Sequence, residues 1–179
     1  MDQGQKKRGI WITAAILVLI ALICAGVTVY LLCNGNHGEI PAYAPQKIDE
    51  NASELEDDGS RDKLEAGEGG GAVSLTYSAE ATIDLTVGKV FFMIQNPERS
   101  TQDLIIQVLI RDENGTENEI ARSELIPVGY GINELALENS EGLVSGTYEG
   151  TVRVSFYDPD GGEKAVVNTD IPVTITVIE

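Results

Sequence analysis

Apolar and polar positions divide the chain into three regimes. From Gly9 to Cys33 the run GIWITAAILVLIALICAGVTVYLLC holds no charged residue. At about 1.5 Å of rise per residue it crosses a hydrocarbon core of about 30 Å with some tilt, which predicts a transmembrane α-helix over residues 9–33. From Asn34 to Gly71 apolar residues are sparse, and Pro41, Pro45, the acidic run Glu54 to Gly59 and Gly67-Glu68-Gly69-Gly70-Gly71 punctuate the chain. Too little can be buried there to offset the entropy of ordering, which predicts a disordered acidic linker over 34–71. A self-repelling coil of that length reaches at least about 35 Å.

From Ala72 the period becomes two. Val73, Leu75 and Tyr77 alternate with polar residues, and Ile83, Leu85 and Val87 do the same. Val90-Phe91-Phe92-Met93-Ile94 is apolar on both faces and reads as a central strand, ended at Asn96-Pro97 because proline cannot donate to a ladder. Leu104 to Arg111 follows, and Asn114-Gly115 before Ile120 is a hairpin signal. Next come Leu125-Ile126-Pro127, a turn at Gly129 and Gly131, and Ile132, Leu135 and Leu137. A loop over 138–146 leads to the long strand Tyr148 to Tyr157, with Val152, Val154 and Phe156 on one face. Asp158-Pro159-Asp160-Gly161-Gly162 is a turn, and Val166-Val167 and Val173 to Ile178 complete the sheet, with Pro172 marking a bulge or an edge. Seven to nine short strands with regular turns predict an all-β, antiparallel immunoglobulin-like β-sandwich over 72–179. Gly146-Thr147-Tyr148 resembles the start of a strand with a tyrosine corner. The only tryptophan, Trp11, lies in the apolar run, so the comparison is with fibronectin- or adhesion-type sandwiches.

Charge orients this plan. Lys6, Lys7 and Arg8 precede the span, while the other flank is nearly uncharged. The positive-inside rule puts residues 1–8 in the cytoplasm and the rest outside, an uncleaved signal anchor in the cell membrane. A cleaved secretory signal expects a shorter apolar core and a nearby small-x-small site, and Ala42-Tyr43-Ala44 lies well past the run. A lipoprotein anchor expects a small residue before its cysteine, and Ile23 and Leu32 stand before Cys24 and Cys33. A pilin-like reading also exists: Lys6-Lys7-Arg8-Gly9 before Ile10 is similar to such leaders, but Ala14 stands where those helices carry glutamate.

The net charge of −17 repels nucleic acid and anionic lipid, which excludes nucleic acid as a direct partner. Both cysteines fall in the span, so the exported part forms no disulfide and carries no thiol nucleophile. The sole histidine, His37, lies in the linker, so no Ser-His-Asp or Cys-His arrangement can form in the domain, and no enzyme is expected. No cofactor is expected. The one metal alternative is calcium at Asp158, Asp160 and Glu163, three carboxylates on one turn, although Asp-Pro-Asp-Gly-Gly also serves a hairpin turn with no ion. Asn51-Ala52-Ser53 and Asn114-Gly115-Thr116 are glycosylation sequons.

The runs NPERSTQDLIIQVLI, LIPVGYGI and GTYEGTVRVSFYDPDGGEKAVVNTDIPVTITV, behind a single span and an acidic linker, resemble small membrane-anchored proteins of Gram-positive gut Firmicutes. The resemblance covers most of 72–179 and implies an extracytoplasmic sandwich. It supplies no catalytic residue: the matched Asn96, Pro97, Pro127, Gly129, Tyr130, Gly146, Tyr148, Asp158 and Pro159 are turn- and corner-shaping residues. Two function classes follow. One is a tethered binding or structural module of the cell envelope, meeting a protein or glycan through Pro97 to Gln102, Val128 to Gly131 and Asn139 to Gly146. The other is an accessory subunit of a membrane assembly, joined through Ala21-x-x-x-Ala25 in the span.

Overall fold

The computed structural model describes Ile20, Ile23 and residues 40–56, 62–66, 70–112 and 115–179. The predicted span, with Gly9, Ile10, Trp11, Leu32 and Cys33, and the orienting Lys6, Lys7 and Arg8 lie outside the described residues, apart from Ile20 and Ile23, which are helical and exposed. Among the described residues no helix is long and apolar enough to cross a membrane. The chain divides into two compact units, Met1–Glu39 and Ile40–Glu179.

The second unit is all-β. Its strands are β1 Ser53–Glu54, β2 Thr76–Tyr77, β3 Glu80–Asp84, β4 Lys89–Asn96, β5 Asp103–Arg111, β6 Glu117–Arg122, β7 Tyr130–Ala136, β8 Gly146–Tyr157 and β9 Lys164–Ile178. They form one curled sheet in the order β1-β7-β4-β3-β9-β8-β5-β6, with β2 added on β4. The period-two residues explain the curl, because their apolar sides must meet. Ile83, Val90, Ile94, Ile132 and Leu135 on one flank share a single core with Leu104, Ile106, Val108, Val152 and Val154 on the other. Each flank hides its apolar face against the other, the main stabilising term for a sheet this size. Where the flanks meet, the N–H groups of Glu138 and Asn139, just past β7, both point to Ile120 O in β6, at 2.9 and 3.3 Å.

The sheet is mixed, not antiparallel throughout. β3 runs antiparallel to β4 and parallel to the last five residues of β9, Ala81 opposite Ile175. Alternation along a strand cannot reveal this, since both pairings have the same side-chain period. The two predicted strands around Pro172 are one strand of 15 residues. Thr174 N–H points away from β8, to Ala79 O at 2.9 Å, so the nitrogen of Pro172, two residues earlier, faces the same side. There, among the described residues, no strand is paired with residues 165–172. Proline has no N–H to lose at an edge. A register shift at Ser155/Tyr157 opposite Asn168/Lys164 adds a bulge, and Val166 at its crest is fully exposed.

The expected linker requires the largest correction. Residues 40–56 and 62–66 do not run free of the domain: they lie on it as a strap, and the compact unit begins at Ile40 rather than Ala72. Lys164 N–H points to Ala42 O (3.0 Å) and Ala44 N–H to Gly162 O (2.7 Å). Ile48 bridges Leu125, and β1 pairs with β7 at Gly131 and Tyr130. Leu64 N–H reaches Arg99 O (2.8 Å) and Lys63 Nζ reaches Ser100 O (3.0 Å). What holds this polar stretch is backbone hydrogen bonding and one buried carboxylate, Asp49. Residues 34–39, 57–61 and 67–69 of the predicted linker lie outside the described residues.

Candidate functional site

Strand ends sort the loops onto two poles. The connections at 97–102, 123–129 and 158–163 share a proximal pole with Ile40, where the described strap begins. The connections at 85–88, 112–116 and 137–145 share the distal pole, where Leu137 N–H meets Gly88 O at 2.9 Å. The three loops expected to meet a partner therefore do not form one surface: two are proximal and one is distal.

Both proximal loops are tied down. Asn96 is fully buried, and its Nδ2 donates to Gln102 O at 3.0 Å across the Pro97 bend. Ser100, also fully buried, exchanges bonds with Ser74, accepting from its N–H at 3.0 Å and donating to its carbonyl at 3.2 Å. The turn after Pro127 closes with Tyr130 N–H on Pro127 O (3.1 Å). It needs Gly129, whose φ of 85° lies in the left-handed region, and Gly129 N–H bonds Asn96 O at 2.7 Å. Asp103 Oδ1 accepts Val128 N–H at 2.9 Å, while burial pushes the Asp103 carboxyl above its ordinary range against that bond. Asn96, Pro97 and Pro127 thus shape turns, as their residue types imply.

The calcium alternative at the third proximal turn is not supported by the geometry. Asp158 Oδ1 accepts the N–H groups of Asp160 (2.9 Å) and Gly161 (2.6 Å), and Asp158 O accepts Gly162 N–H (2.8 Å). The carboxylate caps its own turn. Among the described residues no group of three or more His, Cys, Asp or Glu side chains is placed to hold a metal ion.

The distal loop is different. Asn139, Ser140, Glu141, Gly142 and Val144 are exposed, and a cleft of about 590 Å³ opens beneath them. Ile110, Ile120, Leu143, Val144 and Tyr148 give it an apolar side, and Arg111, Asp112, Asn118, Asn139 and Glu141 a polar and charged one. Tyr148 holds the loop in place: its Oη donates to Val144 O at 2.9 Å and accepts Val144 N–H at 3.3 Å. This is the corner expected from Gly146-Thr147-Tyr148. A cleft with an aromatic edge, aliphatic floor and polar, partly charged rim suits a ligand with both apolar faces and hydrogen-bonding groups. The middle of the loop is a hydrogen-bonded turn, with Leu143 N–H on Ser140 O at 3.1 Å.

A second hollow, about 870 Å³, runs between Val73 and Leu75 and the bulged edge of β9 at Ala165, Val166 and Val167. On the outward face of β8 and β9, Arg153 forks onto Asp170, both nitrogens at 2.8 Å, and reaches Glu117 at 3.0 Å. Hydrogen bonding to Asp170 raises the Arg153 pKa, and the guanidinium lowers that of Asp170. The Arg153 guanidinium is thereby occupied by acids of the same domain.

No family model matches the chain, and no curated protein matches it. Among solved structures it is similar to AggA, the major subunit of aggregative adherence fimbriae type I from Escherichia coli, at 12% identity and a TM-score of 0.29, over 60% of this chain and 95% of that one.

Proposed function

We propose that this chain is a membrane-anchored, extracytoplasmic binding or structural module of a bacterial cell envelope, without catalytic activity, built on an immunoglobulin-like sandwich of fibronectin or adhesion type. The strand order supports the sandwich. Lettering β3, β4, β5, β6, β7, β8 and β9 as A, B, C, C′, E, F and G gives E-B-A on one flank and G-F-C-C′ on the other, with the tyrosine corner on F. The uncharged run Gly9 to Cys33 behind Lys6, Lys7 and Arg8 carries the anchoring reading. The residues after Cys33 contain only His37 and no thiol, which supports a binding role over acid–base or nucleophilic chemistry. The ligand, an envelope protein or glycan, meets the distal cleft beneath Asn139 to Gly146, and the acidic surface disfavours nucleic acid.

Fractionation of cells expressing the full chain tests the anchor. Full-length mass in the membrane fraction, with the domain cut by protease added to intact cells, is the expected result. Recovery in the soluble fraction overturns it. A mature chain beginning at Ile10 instead supports the second reading, a pilin-like or secretion-associated subunit, which rests on Lys6-Lys7-Arg8-Gly9 before Ile10 and on the small-residue pair Ala21 and Ala25.

A further inference from the structure

The strap and the sheet beneath it are held together in an unusual way. In a sandwich the outward side chains of a strand normally face water, yet on β5 Ile105, Gln107 and Leu109 are 2%, 3% and 5% exposed, and Tyr157 on β8 is fully buried. Above Ile105 lies the strap, with Pro41 and Pro45 over a hollow of about 290 Å³ that also reaches Arg122 and Ser123. The cover is therefore not close-packed, and it forfeits dispersion contacts that a core element makes. The strap's own large apolar side chains contribute little burial: Tyr43 is 63% exposed and Ile48 46%.

Two side-chain fasteners add to the backbone bonds that Ala42, Ala44 and Lys47 make with the sheet. At one end Tyr157 Oη donates to Pro41 O at 2.9 Å. In the middle Asp49, 7% exposed, accepts Glu124 N–H on Oδ2 and Asn51 N–H on Oδ1, both at 2.9 Å, while its own N–H bonds Leu125 O at 2.9 Å. The far end is held by backbone: Leu55 N–H bonds Gly129 O at 2.8 Å and β1 pairs with β7 at Gly131 and Tyr130. Leu55 Cδ2 lies 2.9 Å from where a Cβ on Gly131 would stand, so the strap rests on bare backbone.

We propose that residues 40–55 form a releasable latch, which leaves the sheet as one unit while the sheet stays folded and so uncovers Ile105 and Tyr157 on the outward face of β5 and β8. A segment held by hydrogen bonds rather than by apolar burial opens below the free energy of global unfolding. The face it uncovers is an apolar and phenolic strip that takes an extended segment in this structure, and that segment is the chain's own. The latch thus acts as an intramolecular cover, and its opening frees the covered face and lengthens the chain ahead of Lys63 in one event.

Hydrogen exchange read by mass spectrometry on the detergent-solubilised full chain tests this. Peptides spanning 40–55 are expected to share one opening rate at least about tenfold faster than peptides from β5, while still being protected relative to free peptide. Asp49→Ala is expected to speed strap exchange by a further tenfold or so, since it removes the buried acceptor of Glu124 N–H, and to leave β5 and β8 unchanged. Tyr157→Phe, which keeps the ring, is expected to act in the same direction by a smaller factor. Strap exchange at the rate of β5, acceleration of β5 together with the strap in both variants, or free-peptide rates over 40–55 in the unsubstituted chain would each overturn the proposal.

Discussion

Asp49 and Glu124, 75 positions apart, are joined by a carboxylate-to-amide hydrogen bond of 2.9 Å. That bond ties the N-terminal strap to the crossing between β6 and β7, and so to both flanks of the curled sheet. A domain cut at Ala72, where period-two patterning begins, loses this fastener and leaves Glu124 N–H and Tyr157 Oη without their strap partners. A chain of residues 72–179 is expected to be about 1–3 kcal/mol less stable than one of residues 40–179. For domains of this size that lowers the melting midpoint by several degrees. Thermal melts followed by circular dichroism compare the two, and equal midpoints would refute the expectation.

Alkaline pH offers a second test. Burial raises the Tyr157 hydroxyl from its ordinary 10.0 to about 12, with nearby Arg122 acting in the opposite direction. A group whose folded pKa is raised contributes stability that is fully present below pH 10 and lost as pH rises through 12. The unsubstituted domain should therefore lose stability between those values more steeply than Tyr157→Phe. Denaturant midpoints at stepwise pH check this; identical slopes would show that the phenol does not titrate with unfolding.

Gly150 in β8 has no room for a side chain. A Cβ there would stand 2.3 Å from Ile175 Cδ1 and 3.0 Å from Leu109 O, and Ile175 is fully buried. Gly150→Ala is expected to cost about 1–3 kcal/mol by overpacking, despite alanine's better strand entropy. Urea unfolding measures it, and a neutral or stabilising outcome would mean that Ile175 has another rotamer available.

Tyr148→Phe should loosen the distal loop without disturbing the core. The hydroxyl makes two bonds to Val144, one as donor and one as acceptor. Its removal is expected to cost about 0.5–1.5 kcal/mol and to speed amide exchange at Val144, with β4 and β5 unaffected. Exchange at Val144 equal to that of the unsubstituted protein would place the loop's order elsewhere.

The sheet was largely legible in the sequence because its stabilisation is apolar and periodic. Ile83, Val90, Ile94, Val152, Val154, Ile175 and Val177 alternate and are all buried. The turns at Gly115 and Gly162 carry positive φ where glycine stood. Strand partners were not legible: nothing in the alternation of Ala81 and Ile83 says that they lie parallel to Ile175 and Val177. The strap was invisible because its hold is backbone bonding plus Asp49, and a buried aspartate in a run of acids looks like a solvated one. The candidate site was half legible. Loop composition nominated Pro97 to Gln102, Val128 to Gly131 and Asn139 to Gly146 alike, and only the bonds to Ser74, Asn96 and Leu55 separate the two fastened loops from the open one.

The longest strand also shapes how neighbouring copies meet. A surface crowded with the same sheet invites strands to zip edge to edge, and β9 offers the longest edge available. Pro172 breaks its row of donors, and the bulge under Val166 bends the remainder out of line. A copy lying alongside finds no straight run of amides to copy. High local density of copies is therefore compatible with heads that stay separate.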